Sequence, residues 1–161
     1  MYELQFTQFI AHPRSEVFAF FSDLSNLERI TPPWLHFKIL NPLPCPIKTG
    51  SLVNYRLKIL GISFRGQTEI EKFEPDDFFT DIQRRGPYRH WHHLHRFREV
   101  EGGTLIEDHI QYRLRGGPLG WLMNRLFAQR SLKRVFAFRK QTIESLLLEG
   151  PSSSSGEGNP A

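Results

Sequence analysis

Residues 51–60, SLVNYRLKIL, place Val53, Tyr55, Leu57 and Ile59 on one side of an extended chain and Asn54, Arg56 and Lys58 on the other. Strand side chains alternate with period two, so this stretch describes a sheet that is wet on one face and apolar on the other. The pattern then continues. Residues 62–73 set Phe64, Gly66, Thr68 and Ile70 against Arg65, Gln67, Glu69 and Glu71, and residues 78–85, 88–100 and 104–115 extend the run. Short turn signals separate these segments at Gly61, Pro75-Asp76-Asp77, Gly86-Pro87 and Gly102-Gly103, which makes the strands antiparallel neighbours. A sheet with one apolar face has to be covered. Only one element is long enough, a helix opened by Pro118 and running to about Leu148. Its Leu119, Leu122, Leu126, Leu132, Phe136, Ile143 and Leu147 fall near one stripe.

The N-terminal third supplies the remaining elements. Residues 2–11 read as a strand and residues 14–22, behind Pro13, as a short helix. Ser22 or Asp23 caps a second helix that runs to about Ile30 and is ended by Pro32 and Pro33. A short apolar segment, Trp34 to Leu40, precedes the proline-rich loop NPLPCPIKTG, which cannot join a central ladder. The predicted fold is α+β: a curved antiparallel sheet of six to seven strands gripping a long C-terminal helix, with two short helices after the first strand. A chain of 161 residues fits one domain, expected over 1–149, and GPSSSSGEGNPA at 150–161 is expected to be a disordered tail.

The charge balance excludes more than it identifies. The 21 Lys and Arg are spread along the chain and offset by 17 acids, so the net +4 reads as a solvated basic surface, and no nucleic acid partner is expected. Arg125, Arg130, Lys133, Arg134, Arg139 and Lys140 make the last helix basic. A solvated face is the favoured reading, with peripheral contact to an anionic membrane as the alternative. The single cysteine, Cys45, excludes an internal disulfide and multi-cysteine zinc sites. The N-terminus MYELQFTQFIAHP lacks the basic and apolar regions of a secretory signal, so a cytoplasmic location is expected. An exposed sheet edge would be the place for a second copy in a homodimer.

The stretch GPYRHWHHLHRF, residues 86–97, holds His90, His92, His93 and His95. With Gly102-Gly103 as a two-residue loop, Phe97 faces Asp108, His95 faces Ile110, His93 faces Tyr112 and Trp91 faces Leu114, all on the inner face. His90 and His92 then point outward, so the four histidines cannot form one site. His93, His95 and Asp108 would make a two-histidine, one-carboxylate metal set, or an acid–base group with its orienting carboxylate. They would equally serve as hydrogen-bonded polar groups in an apolar wall. No resident metal or cofactor is expected. Tyr55, Tyr112 and Gln83 add polar groups to the same space, although Phe78 and Ile82 compete with Asp81 and Gln83 for the interior. Trp34-Leu35-His36 is a lid or plain packing, and Cys45 is a bystander.

The segments VFAFFSDLSNLERITPPWL, GPYRHWHHLHRF, GGTLIEDHIQYRL and GPLGWLMNRLF resemble bacterial members of the START-related helix-grip superfamily, which includes polyketide cyclase/dehydrase-like and ligand-binding SRPBCC proteins. The resemblance covers nearly all of residues 2–148. It implies a deep apolar cavity between sheet and helix, occupied across the superfamily by lipids, sterols, polyketides or plant hormones. Some members are fused to sugar-nucleotide epimerase-like domains, some catalyse cyclisation or dehydration, and many only bind. The expected function is therefore binding of an apolar or amphipathic small molecule, with Trp91, His93, His95, Phe97, Asp108, Tyr112, Tyr55 and Gln83 around it. The alternative is a cyclase or dehydratase using His93, His95 and Asp108.

Overall fold

A computed structural model describes residues 1–148; the expected disordered tail lies outside the described residues. Seven antiparallel strands form one sheet in the order β1-β7-β6-β5-β4-β3-β2. They are β1 (Tyr2–Ile10), β2 (Lys38–Ile39), β3 (Leu52–Ile59), β4 (Ile62–Glu74), β5 (Phe78–Arg85), β6 (Tyr88–Val100) and β7 (Gly103–Leu114). Helices α1 (Arg14–Ser22) and α2 (Leu24–Arg29) follow β1, and the carboxylate of Asp23 caps α2 by accepting from the Ser25 amide. A single 3-10 turn, Pro33–Leu35, leads into β2. The C-terminal helix comprises α3 (Gly117–Met123), a π turn (Asn124–Ala128) and α4 (Gln129–Leu148).

The alternation read from β3 and β4 holds, but the β6–β7 register differs from expectation by two residues. Val100 pairs with Gly103, leaving Glu101-Gly102 as the turn. Only Gly102 needs the left-handed backbone, with φ 78°. Gly103 is already in the strand, and a Cβ there would collide with the Ile10 carbonyl oxygen of β1. The second glycine thus serves the approach of β1 to β7 rather than the turn. A slip of one would have exchanged the faces; a slip of two preserves them. Phe97 now pairs with Ile106, His95 with Asp108, His93 with Ile110 and Trp91 with Tyr112. In β5 the competition for the interior is settled by unbroken pairing with β6, which sets Phe79 opposite His95 and Asp81 opposite His93, so Phe79, Asp81 and Gln83 turn inward.

Helix α4 covers the sheet through Leu132, Phe136 and Ile143, all buried, and the Phe136 ring stacks on Phe6 of β1 at 4.2 Å between centroids. The expected stripe does not continue backwards to Leu122 and Leu126, which are 42% and 44% exposed. Leu126 stands about 120° from Leu132 even in a regular helix, and the π turn moves Leu122 off the stripe as well. One extra residue in the turn shifts the phase of the helix by about 100°, so residues before it no longer align with those after it. Asn124 takes the inward place, and the Tyr112 hydroxyl donates to its Oδ1 at 2.7 Å. The same geometry corrects the reading of Arg139 as a solvated charge. It lies three residues after Phe136 and four before Ile143, on the covering stripe.

The main core gathers where α1 meets the sheet. Phe18 and Phe21 pack edge-on against Phe97, at 5.2 Å each between ring centroids, and Phe97 is fully buried. Truncating Phe97→Ala should remove about 3–5 kcal/mol of folding stability, read as a lower urea midpoint with an unchanged denaturant slope. A loss below about 1 kcal/mol would contradict the packing described here.

Candidate functional site

The curved sheet and the straight helix do not meet along their whole length. Between them, and under α2 and the 3-10 turn, lies a chamber of ≈ 250 Å³. Its walls are mostly apolar. Val53, Tyr55, Leu57 and Ile59 of β3 line one side, Leu24 and Leu27 of α2 another, and Leu132 and Val135 of α4 the roof. The chamber's charged and imidazole side chains are Asp81 from β5, His93 and His95 from β6 and Arg139 from α4; Gln83, Asn26, Thr31, Thr68 and Ser131 are further polar residues of the lining.

The sheet register brings these groups together. Asp81 pairs across the ladder with His93, and Asp108 pairs with His95 on the other side of β6. Two carboxylates therefore flank two adjacent imidazoles, tilted by 43° with ring centroids 3.7 Å apart. His93 Nε2–H donates to Asp108 Oδ1 at 3.0 Å, and His93 Nδ1 lies 3.4 Å from Asp81 Oδ2. His95 is mounted the other way round, with Nδ1 at 2.7 Å from Asp108 Oδ1 and Nε2 at 3.3 Å from Asp81 Oδ2. The His95 Nδ1 contact is close but poorly aligned as a hydrogen bond, so its attraction is chiefly electrostatic. The second oxygen of Asp81 accepts the Trp91 indole N–H at 3.1 Å. Asp81, His93 and His95 also present one ligand atom each within 4.8 Å of one another, close enough together to hold a metal ion.

The structure divides the expected site residues. Trp91, His93, His95, Tyr55 and Gln83 line the chamber. Tyr55 lies across Gly66, where any Cβ would collide with its ring, so that glycine gives the aromatic wall its place. Gln83 is tied down by donating to the Tyr88 carbonyl at 2.8 Å. Phe97 belongs to the aromatic core and Tyr112 is committed to Asn124, so neither faces the chamber. Asp108 sits behind the histidines, beside Phe6, Lys140 and Phe136 in a second recess. His90 is exposed and His92 approaches Glu71 at 3.4 Å on the outer face, as expected. Leu35 of the 3-10 turn reaches the chamber, whereas Trp34 packs on Phe138 outside it.

Two residues of the site were not assigned by sequence reasoning. The face of Asp81 stayed open, because Phe78 and Ile82 compete with Asp81 and Gln83 for the interior in the pattern of that strand. Arg139 did carry a signal, its spacing from Phe136 and Ile143. Its Nε is buried without a hydrogen-bond partner, and its guanidinium lies 5.0 Å from the centre of the Phe136 ring.

Residues 10–139 match the family described as Polyketide cyclase / dehydrase and lipid transport. The chain belongs to that family. This family member shares its fold with protein Ms6760 from Mycobacterium smegmatis, at 18% identity, a TM-score of 0.69 and 92% of each chain. It also superposes on Ara h 8.0201, at 12% identity and a TM-score of 0.64, over 92% of this chain and 99% of that one. A third likeness is to a nucleoside-diphosphate sugar epimerase from Corynebacterium glutamicum, at 22% identity and a TM-score of 0.60; it spans 90% of this chain but 29% of that chain. These likenesses establish the helix-grip fold. No curated protein matches the chain.

Electrostatics set this member's histidine pair apart from an ordinary buried polar group. Burial works against the imidazolium of His93, but hydrogen bonds and charges from Asp108 and Asp81 outweigh it and hold the group above 6.5. Burial also opposes ionisation of Asp81 and Asp108, yet the neighbouring histidines hold both carboxyls well below 3.8. Arg139 is held below its ordinary value, because burial outweighs the attraction of the two carboxylates. In metal-free, chelator-treated protein, the raised His93 value gives stability that is complete below 6.5 and lost as pH rises through the folded-state value. The depressed aspartates give stability present above 3.8 and lost as pH falls below it. Urea midpoints should therefore form a plateau between these limits, and His93→Gln should flatten the alkaline fall. A wild-type alkaline limb already flat above pH 6.5 would contradict the charge assignment.

Proposed function

We propose that this protein binds an apolar or amphipathic small molecule, of lipid or polyketide type, in the chamber between sheet and C-terminal helix. One observation carries the reading: the chain's own side chains leave ≈ 250 Å³ unfilled behind largely apolar walls, with polar groups around Asp81, His93, His95 and Arg139. Protein interiors normally close to crystal-like density, so an unfilled apolar space costs stability that packing would otherwise supply. Apolar walls with a few convergent polar groups are the usual build of a small-molecule site. Membership of a family described by cyclase, dehydrase and lipid-transport activity supports the same reading.

The bridged histidine pair favours a second reading, an enzyme of cyclase or dehydratase type. An imidazole held between two carboxylates is a group that can deliver and recover a proton. The two readings separate in one experiment. Native mass spectrometry and displacement of an environment-sensitive fluorophore should show a small molecule in the wild type. Leu27→Trp, which fills the chamber from α2, should raise the Kd by about tenfold or more. His95→Gln should leave that affinity nearly unchanged if the histidines do chemistry and should lower it if they anchor the ligand. Full fluorophore binding by Leu27→Trp would place the ligand elsewhere and sink both readings.

The start of the C-terminal helix supports loading or delivery at an anionic membrane surface. Trp121, Leu122, Leu126 and Phe127 are each more than 40% exposed, and the Arg125 guanidinium lies over the Trp121 ring at 5.7 Å. Arg130 and Lys133 follow on the same helix. Apolar side chains amid cations suit the boundary between acyl chains and anionic headgroups. Among the described residues no helix is long and apolar enough to cross a membrane. Co-sedimentation with phosphatidylserine vesicles, weak with phosphatidylcholine alone, is expected for the wild type and lost in Trp121→Ser/Phe127→Ser. Equal binding to both vesicle types, or no binding to either, would refute it.

A further inference from the structure

The chamber reading leaves unexplained why two carboxylates and two imidazoles are buried against one another. Asp108 accounts for one nitrogen of each ring. At 3.0 Å from His93 Nε2 and 2.7 Å from His95 Nδ1, its Oδ1 tolerates only N–H groups, because a bare nitrogen lone pair at that distance would repel a carboxylate oxygen. In the neutral rings the other two nitrogens, His93 Nδ1 and His95 Nε2, are then acceptors. Both face a third acceptor, Asp81 Oδ2, at 3.4 and 3.3 Å. Three acceptors that converge call for a cation between them, which a proton on His93 supplies in the metal-free protein and a metal ion can supply in its place.

The spacing indicates which kind. Ligand bonds of about 2.0–2.1 Å in tetrahedral geometry put neighbouring donor atoms about 3.3–3.4 Å apart, the separations found from Asp81 Oδ2 to each imidazole nitrogen. The surroundings match as well. Asp108 would fix the tautomers from behind, as a carboxylate behind metal-bound histidine commonly does. Trp91 holds the second Asp81 oxygen at 3.1 Å. We infer that Asp81, His93 and His95 form a binding site for a divalent first-row transition ion of the zinc or iron(II) class, with its remaining positions open to the chamber.

The open side follows from placement. Asp81, His93 and His95 line the chamber, while Asp108 faces the recess behind them. Arg139 is the one further charged group lining the chamber among the described residues. With neutral imidazoles, two carboxylates and one guanidinium leave a single net negative charge, which a divalent ion turns into a single positive one. The loaded site would therefore favour a ligand that presents a carboxylate, enolate or other oxygen donor from an apolar body. Carboxylate and imidazole donors suit such ions, and a site with three protein ligands keeps room for one more.

The test uses untagged full-length protein, stripped with chelator and dialysed, then titrated separately with Zn²⁺ and Co²⁺. One ion per chain is expected, with the visible absorption of four- or five-coordinate cobalt and shifted imidazole ¹⁵N resonances of His93 and His95 on adding zinc. Asp81→Asn and His95→Gln should lose the stoichiometric ion while keeping the wild-type far-ultraviolet circular dichroism. Asp108→Asn should weaken binding about 10–100-fold, and His90→Gln/His92→Gln should bind as the wild type does. A wild-type chain that retains no ion above micromolar affinity would overturn the inference. So would an ion held equally by Asp81→Asn, or one whose loss follows His90 and His92. Fluorophore binding to the stripped protein is read in parallel, so failure of the ion site and failure of the chamber reading remain distinct.

Discussion

The concave face of an antiparallel sheet has to be buried, and in this chain one helix does most of that work. A strongly curved surface and a nearly straight cylinder touch along a line rather than over an area. Contact is made where Leu132 packs with Leu4, Ile110 and Tyr112, where Phe136 stacks on Phe6 and where Ile143 enters the core, and lost where Val135 faces the chamber. The chamber is thus a consequence of how a helix grips a bent sheet. The side chains of β3 then determine whether it is filled. Leu57 and Ile59 leave it open, and Tyr55 lies flat because Gly66 has no side chain beneath it.

Within that frame the histidine–aspartate group is the costly part. A buried charge pair with hydrogen bonds seldom stabilises a fold more than apolar residues of the same size would. Four ionisable side chains among apolar neighbours are consequently weak candidates for a structural role. The wall around them is ordered to hold them: Phe79 stacks against His95 at 4.4 Å, Trp91 closes one edge and Phe136 lies edge-on to His93. Rigid aromatic support of this kind limits the rotamers of both imidazoles, as a site that must present atoms in set positions requires.

The π turn links the two ends of the molecule. By shifting the helix phase it turns Asn124 toward Tyr112 and releases Trp121 and Leu122 outward. In a regular helix Trp121, eleven residues before Leu132, would have faced the sheet with it, and Asn124 would have stood about 80° away. The same local irregularity therefore seals the Tyr112 end of the core and leaves apolar side chains on the surface near Arg125.

Much of this was legible in the residues. Period-two alternation gave away the strands and their inner faces, including the inward His93 and His95 and the outward His90 and His92. Glycines and prolines marked the turns, and the length of the last amphipathic segment marked the cover. These signals are local, because strand periodicity and turn chemistry depend only on near neighbours in the chain. What depended on distant neighbours was not legible. The β6–β7 register differs by two from the one the local turn signal suggests, and Gly103 lies in the strand against Ile10 of β1, far earlier in the chain. Asp81 entered the site because β5 pairs with β6 in the register that sets it opposite His93. Arg139 turned inward because the sheet lay on that side of its helix. The sequence by itself determined a one-faced sheet, its covering helix and an inward histidine pair. Tertiary structure decided which carboxylates meet those histidines, since side chains from three strands and a helix converge only once strand register and helix phase are set together.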